Sequence, residues 1–439
     1  MSAQLRKIAL EVLLELEAAE KYANLALSSH KTDNLSNEEM ASLTALVYTT
    51  VERRLTYDYL IAALSEREIG KIDTYTKSVL RLGLCQILHM RSIPDFAAVN
   101  ETVKLSRNPG ERAFVNGVLR AAVRRKDSLP IPPEQKNYKR YLSVKYSFPL
   151  WIVKAFDSIL GREETEALLG AFNENKYTDI TVNTTKILVP EYEKMLRDKG
   201  LDFVTDLNTG LSIRINSSVN PERLPGFSEG LFYVQDRASL ISAIALGAKP
   251  GELIVDTCAC PGGKSFATAI LTDDCSDIRS YDLHPTKLPL IERGAERLGL
   301  SSIHPEELDA LTPNSELFGL ADRVICDAPC SGLGVLGKKP DLRYKSEEST
   351  EELPELQYRI LASASYYLKA GGTMTYSTCT LLPRENGEVV DRFLAEHPEF
   401  CPVDFEVGSY RSENGRLTLL PTRHGTDGFF IAKLSKRRD

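Results

Sequence analysis

The sequence predicts a multidomain protein with an all-α amino-terminal domain, a small α+β module, and a carboxyl-terminal α/β domain built on a doubly wound parallel sheet. Three observations predict this. Apolar residues recur at helical spacing to about residue 127. The run Leu129-Pro130-Ile131-Pro132-Pro133 then breaks that pattern, since proline lacks an amide donor and restricts the residue before it. After about Gln235, short apolar strands alternate with helical stretches in a β-α-β-α series. At 439 residues the chain exceeds what one ordinary core organises.

In chain order, Leu5, Ile8, Val12 and Leu16 lie on one helical face, as do Leu43, Leu46 and Val47 ahead of Arg53-Arg54. The run from Val79 to Leu88 predicts a deeply buried helix, and Phe114 to Arg120 begins another. From about 140 to 235 the pattern is mixed. Trp151–Leu160 and Glu163–Phe172 read as helices, Ile180–Asn183 and Gly210–Ile215 as strands. Beyond Gln235 the expected strands are Leu253–Asp256, Arg279–Asp282, Arg323–Asp327 and Thr373–Tyr376. The expected domains are residues 1–127, 128–234 and 235–439.

A formal net charge of −7 excludes a protein that is basic throughout, but phosphate binding needs only a local patch. Glu15 and Glu17 interrupt any signal-peptide run, and no segment reaches membrane-spanning apolar length. The expectation is a soluble, cytoplasmic protein without a membrane partner. Eight cysteines in so long a chain do not make a disulfide scaffold. Six of them, Cys258, Cys260, Cys275, Cys326, Cys330 and Cys379, crowd one region, yet there is no C-x-x-C pair and no His pair at ligand spacing, so no metal is expected.

Two expected strands each deliver a thiol to their carboxyl ends: Val324-Ile325-Cys326-Asp327-Ala328-Pro329-Cys330 and Met374-Thr375-Tyr376-Ser377-Thr378-Cys379. That edge of an open α/β sheet is where ligands collect. Two thiols there, one beside a carboxylate, point to nucleophilic chemistry by one cysteine with the other assisting. Strand 253–256 runs into Thr257-Cys258-Ala259-Cys260-Pro261-Gly262-Gly263-Lys264, where a Gly-Gly turn lets backbone amides approach a ligand at a helix start. Asp282 follows at the end of the next strand, placed to accept both ribose hydroxyls of an adenosine cofactor. The turn lacks G-x-G-x-x-G and a G-K-[ST] ending, which disfavours dinucleotide and nucleoside triphosphate sites.

Four segments, Asp256–Lys264, Asp327-Ala328-Pro329-Cys330-Ser331-Gly332-Leu333-Gly334, Tyr376–Thr380 and Gly425-Thr426-Asp427-Gly428-Phe429-Phe430, resemble in order the motifs of RNA (cytosine-C5) methyltransferases of the NOL1/NOP2/Sun family. Upstream, Ile93–Glu101 and Ala113–Arg120 resemble the RNA-binding domain of the antitermination factor NusB. Nearly the whole chain is covered, with the middle module similar to the family's RNA-recognition domain. The resemblance implies a NusB-like domain, an RNA-recognition module and a Rossmann-like catalytic domain that uses S-adenosylmethionine. The fusion implies 16S ribosomal RNA, or an assembly intermediate of the small subunit, as partner. Cys260 departs from the usual alanine, Thr181 from arginine and Thr49 from glycine.

By resemblance, Cys379 is the nucleophile toward cytosine carbon 6 and Cys330 assists removal of the carbon 5 proton. Asp327 and Lys264 face the base; if Asp327 donates to a ring nitrogen it must itself be protonated. Cys258, Ala259, Cys260, Pro261, Gly262, Gly263 and Lys264 would hold the methionine end of the cofactor, Asp282 the ribose and Asp309 the adenine, with Asp327 also lining that site.

From Arg120 to Tyr146, eight Lys/Arg stand against two acids and are interleaved with three tyrosines. Such a stretch can neutralise phosphates and stack unpaired bases. Arg120, Arg124, Arg125, Lys136, Lys139 and Arg140 are the expected RNA contacts; a solvated linker is the plainer reading. The rivals to a 16S ribosomal RNA methyltransferase are the same chemistry on transfer RNA and a noncatalytic RNA-binding or antitermination scaffold, against which the intact Cys330 and Cys379 speak.

Overall fold

The computed structural model describes residues 1–19, 23–30, 32, 35–174, 177–217 and 219–438. They form two compact units, one of residues 1–173 with 338–345, the other of residues 174–337 with 346–439.

The first unit is helical. Its core gathers Leu5, Val12, Leu43, Leu46, Val47, Leu80, Leu84, Val115 and Leu119, the apolar faces expected from the spacing. The helix Thr74–His89 is buried on nearly all sides, as its unbroken apolar run demands. It carries Arg81 inside, tolerated because the guanidinium donates to both Asp58 oxygens at 2.7 and 2.8 Å and to Glu17 at 2.7 Å. The helix holding Phe114 begins earlier than expected, at Pro109, because Asn108 caps it by accepting from the Glu111 amide at 2.9 Å and proline suits the first turn.

The division differs from the three-way expectation. Helices Tyr138–Tyr146, Leu150–Leu160 and Arg162–Glu174 follow the proline run, yet all but the last residue of this series lie in the helical unit. Thr56 donates to the Val144 carbonyl and the Leu55 amide to Ser147, so the proline run is a bend within one body. Residues 338–345, which follow the Pro-Cys motif in sequence, also belong here. Arg343 is wholly buried, 3.9 Å over the Phe148 ring and donating to the Glu52 carbonyl; burial pushes its guanidinium down to about 10.

The second unit begins with a four-stranded antiparallel sheet of β1 (Thr178–Val182), β2 (Phe203–Thr205), β3 (Ser212–Ile215) and β4 (Phe232–Val234), in the order β2-β3-β1-β4. Helix Val189–Asp198 packs Tyr192 and Leu196 on it, which makes the expected α+β module.

The larger sheet contains β5 (Leu253–Asp256), β6 (Asp277–Asp282), β7 (Ile303–Glu307), β8 (Ala321–Asp327), β9 (Leu368–Thr378) and β10 (Phe400–Pro402). After a short hairpin of β11 (Glu406–Val407) and β12 (Tyr410–Arg411), β13 (Arg416–Leu419) and β14 (Phe429–Lys436) complete it. The order is β10-β14-β9-β8-β5-β6-β7, with β13 also on β14. The central strands are parallel, but β14 runs antiparallel between β9 and β10, so the sheet is mixed and not wholly parallel as expected. The closing motif, read only as Gly425–Phe430, continues as this strand, whose Ile431, Ala432 and Leu434 are buried. Strands β5, β6 and β7 are added toward one edge of the sheet and β8 and β9 toward the other, so the strand order reverses between β5 and β8, which places a switch point at their carboxyl ends.

Candidate active site

Four adjacent parallel strands present chemistry at that edge: Asp256 ends β5, Asp282 ends β6, Asp327 ends β8, and Cys379 follows β9. The two-residue pleat explains part of this. Asp327 pairs in register with Ser377, and the Ser377 hydroxyl donates to Asp327 Oδ1 at 2.6 Å.

Lys264 sits in the first turn of helix Gly263–Leu271, almost completely buried, with its ammonium 2.6 Å from Asp327 Oδ2 and 3.1 Å from the Ser239 hydroxyl. It also lies 5.1 Å from the centre of the Phe429 ring, on the closing motif. Both oxygens of Asp327 therefore accept, one from serine and one from lysine.

The thiols of Cys330 and Cys379 meet at 3.1 Å, and the Cys379 amide donates to Cys330 Sγ at 3.3 Å. The bond to Cys379, together with burial and the charges of Glu385 and Asp327, pushes Cys330 well above the ordinary thiol range. Both loops are fixed by Glu385, which is wholly buried. Its Oε2 accepts from the Ser331 amide at 2.8 Å and from Gln357 at 2.9 Å, and the same Gln357 nitrogen donates to the Pro329 carbonyl at 3.0 Å. Its Oε1 accepts from Thr380 at 3.4 Å, and Ser331 donates to that same hydroxyl at 2.9 Å. Ser331 and Thr380 each directly follow one of the cysteines.

The glycine turn is shaped as its composition requires. Gly262 has φ +107°, and a Cβ there would meet Phe266 at 2.4 Å. Asp282 holds the turn, its Oδ2 accepting from the Cys260 amide at 3.3 Å and its Oδ1 from His284 at 3.0 Å. The Leu308 amide bonds the Asp282 carbonyl at 3.2 Å and so brings Asp309 alongside; Asp309 itself accepts from Leu311 at 2.9 Å. Asp256 is buried, with Oδ2 accepting from Ser265 at 2.7 Å and Oδ1 lacking a hydrogen-bond partner among the described residues. Burial pushes it up to about 7. An orphaned carboxylate oxygen beside a strained turn, with Asp282 at the neighbouring strand end, suits a ligand carrying both cationic and ribose groups.

The structure thus brings together Lys264, Asp327, Cys330 and Cys379, and separately Ala259 to Gly263 with Asp282 and Asp309. Cys258 and Cys326 lie near Asp256 and Asp327, and burial raises both thiols. Cys275 does not join them; it is exposed in the loop before β6. Sequence reasoning missed Glu385, Gln357, Ser377 and Asp256 as parts of the site. Asp256 and Ser377 lie within the quoted motifs, but nothing local marks Glu385, next to Arg384, as buried. In the helical unit Arg120, Arg124, Arg125, Lys136 and Arg140 are exposed, while Lys139 pairs with Asp157 at 2.5 Å. Thr181 is buried and donates to Gln235 at 3.2 Å, so its departure from arginine changes the interior of the module.

A glycine turn, a strand-end carboxylate and a thiol pair at the switch point of a mixed Rossmann-like sheet fit an S-adenosylmethionine-dependent methyltransferase. A family model described as 16S rRNA methyltransferase RsmB/F matches residues 243–435, and one of the NusB family matches residues 3–124. The chain is 35% identical to a probable ribosomal RNA small subunit methyltransferase B of Bacillus subtilis over 98% of both chains. It is 36% identical to a protein of the same name from Synechocystis, covering 98% of this chain and 99% of the relative. The solved structure of PH0851 is 27% identical, with a TM-score of 0.83 over 99% of both chains. The chain belongs to the RsmB/F family of 16S rRNA methyltransferases, with a NusB domain at its amino terminus.

Proposed function

We propose that this protein methylates carbon 5 of cytosine in 16S ribosomal RNA, with Cys379 as nucleophile. The observation that carries the reading is the thiol pair Cys330–Cys379, set one residue beyond Asp327-Ala328-Pro329 and Ser377-Thr378, respectively, with the Lys264 ammonium held on Asp327.

Cytosine carbon 5 is a poor nucleophile until a thiolate adds at carbon 6. The two sulfurs lie within one hydrogen bond of each other, and Cys379, the position that matches the family nucleophile, attacks as the thiolate. The Cys379–carbon 6 bond forms and density moves to carbon 5 and the ring nitrogen, where the Lys264 ammonium, oriented by Asp327, supplies positive charge. Asp327 accepts from the exocyclic amine, which fits cytosine and not uracil. S-adenosylmethionine supplies the methyl group when bound, held by Asp282 and the 259–264 turn.

After methyl transfer Cys330 releases its proton to solvent, the Cys379 amide stabilises the resulting thiolate, and this thiolate takes the proton from carbon 5 as the carbon 6–sulfur bond breaks and its electron pair returns to Cys379 as thiolate. The target base must leave its stack to reach Cys379, which favours unpaired RNA or an assembly intermediate, met in the cytoplasm.

The test is turnover of purified protein on small-subunit ribosomal RNA and on transfer RNA, followed by nucleoside analysis and bisulfite sequencing. The expected product is 5-methylcytidine at a defined position in 16S RNA. Modification confined to transfer RNA, or none, would replace this reading by one of its rivals.

A further inference from the structure

Within the second unit, a cavity of about 490 Å³ opens where the α+β module meets the catalytic domain, lined by Asn208, Ser409, Tyr410, Arg411, Arg423 and His424, together with one leucine. Two cations and no anion line it. The nearest acid on the hairpin, Glu406, pairs with Arg411 at 3.4 Å with both side chains largely exposed, an arrangement that holds the arginine only weakly.

The cavity is built, not incidental. The Asn208 carboxamide accepts from the Ser409 amide at 2.8 Å, and Gly408, with φ +58°, lets the Asn208 backbone approach; a Cβ there would fall 2.5 Å from Asn208 Cα. His424 accepts from the Leu420 amide at Nδ1, 2.8 Å, which places its proton on Nε2 and makes that nitrogen a donor; burial and Arg423 keep the ring below its ordinary pKa and neutral. Beside Asn208 stands Leu207, 92% exposed. Its neighbour Asp206 is buried, accepts from Thr209 at 2.8 Å and pairs with Arg237 at 3.5 Å, so a fixed turn presents a leucine to solvent.

The cavity is close to the chemistry along the chain. Four residues beyond His424, the Gly428 amide bonds the Gly334 carbonyl at 2.9 Å, and the Gly334 amide bonds the Cys379 carbonyl at 2.9 Å. Four residues span at most ~14 Å.

We infer that this cavity is a subsite for single-stranded RNA flanking the target cytosine: Arg411, Arg423 and His424 hold a backbone phosphate, and Leu207 packs on the adjoining base. Guanidinium groups with a neutral N–H donor match a phosphodiester, and an apolar side chain beside them matches an unstacked base. The inference rests on the RNA-methylating function.

The test uses the full-length protein and a 16S RNA fragment that it methylates, carrying single neutral methylphosphonate linkages near the target. Arg411→Ala/Arg423→Ala should raise KM for RNA about tenfold and flatten the salt dependence of binding by about 0.7 per lost contact. The value of kcat and the affinity for S-adenosylmethionine should be unchanged. One methylphosphonate position should weaken binding by the wild type and leave the double variant unaffected. Leu207→Ser should raise KM without altering the salt slope. Unchanged KM and slope in the arginine variant, or equal methylphosphonate effects in both proteins, would overturn the subsite; so would competition by inorganic phosphate that leaves RNA binding intact, which would mark a free-anion site. Normal action on RNA but loss of action on assembling subunits would assign the surface to a protein partner. Absence of turnover by the wild type would instead count against the parent function.

Discussion

Cys330 and Cys379 stand 3.1 Å apart, sulfur to sulfur, although forty-nine positions separate them in the chain. Both follow parallel neighbours β8 and β9, so sheet register brings the two loops together and the Glu385 carboxylate fastens them. In the proposed mechanism this separation lets nucleophile and proton acceptor hand over roles without a backbone movement.

The two thiols should be separable by substitution. Cys379→Ala is expected to lower methylation by ~10³ or more while leaving S-adenosylmethionine affinity within a few-fold. Cys330→Ala should permit attack and methylation but stall release, so a denaturation-resistant protein–RNA adduct accumulates in the presence of S-adenosylmethionine. Gel analysis of the double variant should show no adduct. An adduct formed only when Cys379 is replaced would exchange the roles.

Glu385 tests whether the staple matters to turnover. Glu385→Ala should reduce kcat about ten- to a hundredfold, since misplacement on the ångström scale has that effect, with KM for RNA little changed. Glu385→Gln keeps an acceptor oxygen toward Ser331 and should recover much of the rate. Limited diamide oxidation with peptide mapping reads the geometry directly: the Cys330–Cys379 disulfide should form more slowly in the alanine variant. Equal oxidation rates would show that the staple does not set the sulfur separation.

Asp256 should leave a signature in the pH dependence of stability. Its folded-state value is raised to about 7 from 3.8, so the folded state binds a proton more tightly than the unfolded chain. The associated stability is fully present below pH ~4 and lost as pH rises toward about 7, on the order of a few kcal/mol. Denaturant titrations of Asp256→Asn should lack that decline. A variant whose stability falls by the same amount over this interval would place its origin elsewhere.

The basic stretch is expected to act through its exposed members. Reversing charge at Arg124, Arg125 and Arg140 should weaken RNA binding and flatten its salt dependence, because fewer counterions are released. Reversal at Lys139 should chiefly disturb its ion pair with Asp157, and so register in thermal stability more than in the salt slope. An unchanged slope in the triple variant would return the stretch to the solvated-linker reading.

Local sequence determined a great deal here. Helical spacing in residues 5–16 and 43–47, the apolar strands read as ending at Asp256, Asp327 and Tyr376, and the Gly262 turn are all set by near neighbours, because periodicity and backbone sterics act over a few residues. Tertiary structure decided the rest. The proline run at 129–133 reads as a boundary, but hydrogen bonds from Leu55 and Thr56 to residues 92 and 88 positions away keep the following helices in the helical unit. Strand β14 enters antiparallel beside β9, which no strand-length pattern encodes. Glu385, which no local sequence pattern marks, is the buried link between the two thiol loops. Its role depends on donors from Ser331, Gln357 and Thr380, and only the folded sheet puts those donors within reach of one carboxylate.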